Sequence, residues 1–375
     1  MKILHFYKTS HNDTKGGVEQ VIHQIASGAT KLGVQTEVLS LTRERIACTV
    51  ETNGYLNHTA KLDMQIASTA ISIKAFRQFS QLAKNADIIH YHFPWPFMDV
   101  VHFVTQVNKP TVLTYHSDIV KQKNLLKLYR PLMHKFLASV DRIVATSPNY
   151  LASSDVLNKF SNKVCVIPIG LDKATYAIAT KDRMHNWSNK FGSKFYLFVG
   201  VLRYYKGLHI LIEAAQGLDY PIVVVGSGPI EQELRVQAAQ LGLKNFFFLG
   251  QLSDEDKVAL LTLCYGVLFP SHLRSEAFGV SLLEGAMYGK PMISSEIGTG
   301  TSYINIANET GIVVPPSDPI ALRQAMQYLW EHPEQANQMG LRAEERYWKH
   351  FTADRMGKSY VDLYSDLINS HNSSR

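Results

Sequence analysis

The feature that most constrains this chain is a regular alternation along its length. Short apolar runs suited to strands take turns with segments whose apolar residues recur at helical spacing. In the first half the strand candidates are Lys2–Phe6, Thr36–Leu41, Ile88–Tyr91, Thr111–Tyr115, Arg142–Thr146 and Lys163–Ile167. Helix candidates fall between them at Val18–Leu32, Ser72–Lys84, Phe97–Val107, Asn124–Ser139 and Tyr150–Phe160. The second half repeats the theme, with strands at Phe195–Val199, Ile222–Val225, Phe246–Leu249, Gly266–Phe269, Met292–Ser294 and Gly311–Val314. Its helix candidates are Gly207–Ala215, Ile230–Leu241, Asp254–Thr262, Val280–Tyr288 and Pro319–Trp330. Such alternation predicts α/β architecture: parallel sheets with helices on both faces. With 375 residues, 46% of them hydrophobic, the chain can fill two cores. The expectation is two Rossmann-like domains, 1–171 and 172–350, joined after Pro168-Ile169-Gly170-Leu171-Asp172 and followed by a polar stretch from Lys173 to Asn189. A last segment, 351–375, carries a helical stripe of Met356, Tyr360, Leu363 and Ile368 and a tail from His371 expected to fray.

Composition narrows the partners. A formal net charge of +6 favours anionic ligands such as phosphates or acidic lipid headgroups. Zinc-finger spacing, an RNA-recognition signature and an arginine-rich arm are all missing, so no nucleic-acid partner is expected. Three cysteines, Cys48, Cys165 and Cys264, lack pair spacing, which points to a reducing compartment. No apolar run reaches membrane-spanning length, and the start is too interrupted for a secretory signal. The expected location is cytoplasmic, with the inner face of the cytoplasmic membrane left open as an attachment site. Lys121, Lys123, Lys127, Arg130 and Lys135 interleave with Leu125, Leu126, Leu128, Tyr129 and Leu132. That segment reads either as a helix with one solvated face or as a basic amphipathic surface for an anionic membrane.

Open parallel sheets bind ligands at the carboxyl ends of their strands, and five loops there carry chemistry. Gly16 and Gly17, in Lys15-Gly16-Gly17-Val18-Glu19, open a helix and let backbone N–H groups approach a ligand; they serve equally as an ordinary turn. The run His90-Tyr91-His92-Phe93-Pro94-Trp95-Pro96 is dense in groups that stack on or hydrogen-bond to sugars, and reads equally as an ordinary aromatic loop. His116, in Tyr115-His116-Ser117-Asp118, follows an apolar strand and is expected to point out from the sheet's end. Arg203 and Lys206 stand before a helix, an arrangement suited to a diphosphate. Gly226-Ser227-Gly228-Pro229 lacks the third glycine of a dinucleotide fingerprint and reads as a strand-to-helix turn. Asp254-Glu255-Asp256 reads as a charged helix start rather than a metal motif. No metal and no cofactor are expected.

Two glutamates eight positions apart, Glu276 and Glu284, frame Phe278-Gly279 and the start of an apolar-periodic helix. Unpaired N–H groups at such a start attract phosphate. Carboxylates on either side would repel an anion, so they make sense as ligands for hydroxyl groups, one set on a sugar and one on a ribose. The segment Arg274 to Ala286, continued by Met287-Tyr288-Gly289-Lys290-Pro291, resembles the Glu-x7-Glu signature of retaining glycosyltransferases of family four, which have the GT-B fold. Gly16-Gly17-Val18-Glu19 matches the opening of many family members, and the string from His116 to Lys123 looks like mannosyltransferases of bacterial O-antigen and exopolysaccharide synthesis.

The resemblance implies two Rossmann-like domains whose parallel sheets face each other across a cleft. The first would bind the acceptor, the second a nucleotide sugar, and the last helix would cross back to the first. It implies that Glu276 holds donor-sugar hydroxyls and Glu284 the ribose. Phe278 and Gly279 N–H groups would bind the diphosphate with Arg203 and Lys206, and His116 would contact the donor sugar. Backbone groups of Gly250-Gln251-Leu252 would face the base. One position departs from the family: arginine commonly follows the glycine where this chain has Val201, so Arg203 would have to substitute from two positions along. The implied reaction moves a sugar, mannose from GDP-mannose, to a lipid-linked or oligosaccharide acceptor in surface polysaccharide synthesis. A UDP-sugar donor remains an alternative, as do a Rossmann oxidoreductase and a non-catalytic binding subunit.

Overall fold

The computed structural model describes residues 1–13, 16–44, 48–66, 69–119 and 123–373. The chain divides into two compact units, Met1–Gly170 with Thr352–Arg375, and Leu171–Phe351.

The first unit runs β1 (Lys2–Phe6), α1 (Gly17–Lys31), β2 (Gln35–Thr42), β3 (Thr49–Thr52), β4 (Tyr55–Lys61), β5 (Met64–Ile66), β6 (Thr69–Ile71), α2 (Ile73–Asn85) and β7 (Ile88–Phe93). It continues with α3 (Pro96–Val104), β8 (Thr111–Tyr115), α4 (Lys123–Ser139), β9 (Arg142–Ala145), α5 (Pro148–Ser153), α6 (Asp155–Asn158) and β10 (Val164–Val166). Eight strands form one sheet in the order β10-β9-β8-β7-β1-β2-β4-β3, parallel except for the β3–β4 hairpin at its edge. The strand order reverses between β1 and β7, where open sheets hold ligands. Apolar residues dictate the inner strands: Ile3, Leu4, Phe6, Ile88, Ile89, Val112 and Leu113 are fully buried. Strand β4 is not among the strands expected from the sequence; its Asn57, His58 and Thr59 are buried, with Asn57 donating to Ser10 Oγ at 3.1 Å.

The second unit runs α7 (Lys181–Phe191), β11 (Tyr196–Val199), α8 (Leu208–Ala214), β12 (Ile222–Val225), α9 (Glu231–Gln240), β13 (Phe246–Gly250), α10 (Asp254–Leu263) and β14 (Gly266–Phe269). Then come α11 (Val280–Met287), β15 (Met292–Ser295), α12 (Thr301–Ile304), β16 (Gly311–Val314), α13 (Pro319–Glu331) and α14 (Pro333–His350). Its six-stranded sheet, β13-β12-β11-β14-β15-β16, is parallel throughout and reverses order between β11 and β14. Helices cover both faces. Phe198, Leu208, Leu211, Val224 and Leu268 fill one core, and Phe195, Leu197, Val223, Leu260 and Val267 the other. Each such side chain contributes about 1.5–3 kcal/mol by leaving water. Helix α7 replaces part of the polar stretch expected after the join, and the Thr180 hydroxyl caps it by accepting from Arg183 N.

The final helix, α15 (Ala353–Ser373), belongs to the first unit. Gly28 of α1 and Gly357 of α15 meet where a side chain on either would press on the other backbone, so the two helices lie close. His371 to Ser373 continue α15, and Ser374 and Arg375 of the expected tail lie outside the described residues. No helix among the described residues is long and apolar enough to cross a membrane.

Candidate active site

The switch point of the second sheet brings together two residues far apart in sequence. After β11 the chain passes through Arg203 in extended conformation and turns once over Tyr204–Lys206. Gly207 then adopts φ 74°, and a Cβ there would lie 2.0 Å from the carbonyl oxygen of Pro270, just beyond β14. Only glycine allows that approach. It seats Lys206 over the end of β14, with Nζ 4.9 Å from the centre of the Phe269 ring. Lys206 Nζ donates to Glu276 Oε2. The Ser271 hydroxyl donates to the same oxygen at 3.3 Å. The two side chains are only 12% and 11% exposed. Burial on its own would lower the Lys206 pKa, but the adjacent Glu276 carboxylate, with Tyr205 adding to it, holds the ammonium above its ordinary value.

Glu276 and Glu284 stand on either side of the start of α11. Gly279 precedes that helix at φ 99°, and no side chain caps it. A Cβ at Gly279 would lie 3.2 Å from the Phe269 ring. The Phe278 side chain is buried, and Gly300 N donates to Ala277 O at 2.8 Å, which fixes the loop from behind. Among the described residues the first N–H groups of α11 thus have no capping side chain, and they carry the positive end of the helix dipole. Glu284, one turn inside, is also buried; it accepts from Lys257 Nζ at 3.0 Å and from the Tyr176 hydroxyl at 2.9 Å. Burial would lower Lys257, and Glu284 raises it instead; burial, then Glu284, push Tyr176 well up. Each glutamate thus has its own lysine, which removes the charge conflict that two acids beside an anion site would pose.

The other loops of this sheet end are laced together. Gly226 N donates to Gly250 O at 2.8 Å and Leu202 N to Ser227 O at 3.0 Å. A Cβ at Gly226 would lie 2.0 Å from Gly200 O. Leu202 is buried while Val201 and Arg203 are exposed, so these two share the outer side. Leu252 is half-buried, packed beside the core under Val223 and Leu260. Ser253 caps α10 by accepting from Asp256 N, and Asp256 pairs with Arg183 at 2.6 Å, so Asp254-Glu255-Asp256 forms a charged helix start.

In the first unit, Gly16 caps the backbone of α1 and Gly17 begins it, while Lys15 lies outside the described residues. The Glu19 side chain folds back so that a Cβ at Gly16 would meet its carboxylate at 2.3 Å, and Thr9 donates to it. That carboxylate occupies the helix start. The run His90 to Trp95 departs from expectation: His90, Tyr91, His92, Phe93 and Trp95 are almost wholly buried, because β7 extends through Phe93 in the middle of the sheet. These rings pack the core and cannot stack on a sugar. His116 sits just past β8, 7% exposed, with Nε2 3.0 Å from Nδ1 of His92. Val120, Lys121 and Gln122 of the string that follows it lie outside the described residues. His5, His90 and His92 bring ring nitrogens within 4.8 Å of one another. Both nitrogens of His90 are hydrogen-bonded, to Tyr364 at 2.7 Å and to Thr114 at 2.8 Å.

Two family models match in succession, Glycosyltransferase Family 4 over residues 15–175 and Glycosyl transferases group 1 over residues 181–346. The chain is 61% identical to D-rhamnosyltransferase WbpZ of Pseudomonas aeruginosa, across 94% of this chain and 93% of that protein. The chain belongs to the family 4 glycosyltransferases. It is also 49% identical to O-antigen chain mannosyltransferase C of Escherichia coli, across 99% of this chain and 100% of that protein. Among solved structures it is similar to sucrose-phosphate synthase from Thermosynechococcus elongatus, with TM-score 0.81, 21% identity and coverage of 98% and 99% of the two chains. It is similar too to Anabaena HepE in complex with UDP and glucose, with TM-score 0.77, 19% identity and coverage of 97% and 99%. The fold is accordingly GT-B, and the chain is a hexosyltransferase.

For such an enzyme the second unit offers an uncapped helix start, a lysine and two held carboxylates at one sheet end. Lys257 and Tyr176 escaped the sequence reading. Lys257 hides behind three acids in a helix start, and Tyr176 lies in a stretch that looks like linker. Neither carries a signal of its own; only the fold brings them to Glu284.

Proposed function

We propose that this glycosyltransferase moves a hexose, with retention of configuration, from a nucleoside diphosphate sugar to a glycan or lipid-linked acceptor of a bacterial surface polysaccharide. The observation that carries this is the Lys206–Glu276 pair at the switch point beside the uncapped start of α11. Lys206, with Arg203 and the N–H groups of Phe278 and Gly279, binds the diphosphate. Negative charge grows on it as the sugar leaves, so these donors act most strongly in the transition state. Glu276 binds sugar hydroxyls and Glu284 the ribose, while backbone groups around Leu252 face the base. His116 contacts the sugar, and the backbone N–H groups at Gly16 and Gly17 are further donor ligands. No carboxylate of the site is assigned as a covalent nucleophile. A same-face displacement, with a diphosphate oxygen taking the acceptor proton, fits a site built to hold that diphosphate.

The donor is GDP-mannose in the first reading, supported by the relative named as an O-antigen chain mannosyltransferase. A second reading is the GDP-linked 6-deoxy analogue, D-rhamnose, favoured by the higher identity to WbpZ. The two sugars differ only at C6. Contact with an anionic membrane is supported by α4, where Leu125 and Leu128 are 51% and 81% exposed beside Lys127 and Arg130.

A thermal-shift panel of GDP, GDP-mannose, GDP-D-rhamnose, UDP-glucose, UDP-galactose and UDP-N-acetylglucosamine, followed by transfer assays and NMR of the product's anomeric proton, tests the reading. Stabilisation by the guanine nucleotides and an α-linked product support it. A shift with a UDP sugar alone overturns the donor, and an inverted product overturns the mechanism.

A further inference from the structure

A line of histidines runs through the first sheet to His116. Nδ1 of His5 lies 3.0 Å from Nε2 of His92, and Nδ1 of His92 lies 3.0 Å from Nε2 of His116. The rings stack along this line, with centroids 5.3 Å apart at both steps. All three are neutral: burial pulls His5 and His116 down to about 3, and burial with the neighbouring rings pulls His92 well below its ordinary value. A neutral imidazole carries one N–H and one bare nitrogen, so the chain has only two possible polarities. The far end separates them. Nε2 of His5 is buried with no partner among the described residues. In one polarity it would be an orphaned buried N–H, which folded proteins avoid more strictly than an unused lone pair.

We infer that His5 and His92 are positioning residues that hold His116 with its proton on Nδ1. Nδ1–H of His5 donates to His92, Nδ1–H of His92 donates to Nε2 of His116, and the N–H of His116 is left on Nδ1. That N–H has no partner among the described residues and is available to an oxygen of the bound sugar. The line is drawn from β1 and β7, at the place where the first sheet reverses its order. This rests on the role given to His116 above, and the test separates the two.

The full-length protein is labelled with imidazole-15N histidine, and the tautomer of His116 is read from two-bond proton–nitrogen correlations, assigned by loss of its signals in His116→Gln. The expected wild-type result is a protonated Nδ1 and a bare Nε2. His92→Phe removes the donor, and the His116 proton shifts toward Nε2 while kcat falls about tenfold, the rate equivalent of one hydrogen bond. His92→Asn, whose amide nitrogen overlies the lost Nδ1, restores both. A wild-type His116 protonated on Nε2 overturns the inference whether or not any variant folds. So does a folded His92→Phe in which the proton stays on Nδ1. If the tautomers behave as expected but His116→Ala transfers sugar at the wild-type rate, the positioning stands and the catalytic role of His116 falls.

Discussion

The pair of Lys206 and Glu276 makes a sharp prediction because each residue has a structural task beside the functional one proposed for it. Their side chains are about nine-tenths buried and share a hydrogen bond, and among the described residues the acid's other side-chain partner is the Ser271 hydroxyl. Replacing Lys206 with methionine keeps the volume but leaves the carboxylate without its cation. Replacing Glu276 with glutamine leaves the ammonium against Phe269 and Tyr205. Stranding one partner of a buried pair costs about 3–5 kcal/mol. At roughly 2–4 °C per kcal/mol for a unit of this size, each single variant loses about 6–20 °C in Tm. Lys206→Met with Glu276→Gln strands no charge and recovers most of that loss; with each single variant losing about 3–5 kcal/mol and the double variant less than either, the coupling exceeds about 3 kcal/mol in a double-mutant cycle. Transfer behaves differently: it is abolished in all three proteins, because the diphosphate and the sugar have lost their ligands. Calorimetry and a donor-turnover assay on the same four preparations decide it. Additive Tm losses would refute the buried pair, and wild-type turnover in any variant would remove the pair from the mechanism.

The buried histidines set a pH limit. His5, His90, His92 and His116 all have folded values depressed below 6.5 by burial first and, except in His5, by neighbouring positive or imidazole groups. The unfolded chain binds protons that the fold excludes, so stability is full above pH 6.5 and falls as pH drops toward 3. Each such histidine adds a slope of up to about 1.4 kcal/mol per pH unit. Tm measured across that range should begin to fall near pH 6.5, and a flat profile down to pH 5 would contradict the buried neutral network. Gly207→Ala should abolish transfer and lower Tm, since its Cβ and the Pro270 oxygen would be 2.0 Å apart at a left-handed φ and the turn carrying Lys206 must move. Isothermal titration with GDP should show weakened binding; unchanged affinity and turnover would mean that the turn tolerates the shift.

Much of this molecule is readable from residue order. Strands β1, β8, β12, β14 and β16 run between the residues expected, because their apolar runs are bounded by polar or turn residues. The Glu276–Glu284 spacing is legible too: helix periodicity places both acids around one helix start, as the structure has them. What escaped depends on contacts between distant residues. Nothing local distinguishes Lys257 from any helix lysine, and Tyr176 gains its role only through Glu284. Strand β4 went unnoticed because burial of Asn57 and Thr59 requires partners that local pattern cannot supply. The His90–Trp95 run misled for the opposite reason. Polar rings at a strand end suggest a binding loop, yet here Tyr364 and Thr114 satisfy His90 inside the core.

The placement of α15 bears on how the protein is made. Thr114 and His90, in the middle of the first sheet, find their hydroxyl partners on Tyr360 and Tyr364, which leave the ribosome only after the whole second unit. Until then the nascent first unit exposes a polar, imidazole-lined floor with no roof. Its maturation is therefore a late event in biosynthesis, and a chain stalled or clipped ahead of Ala353 would present a nearly complete polypeptide whose first unit is a substrate for chaperones and proteases.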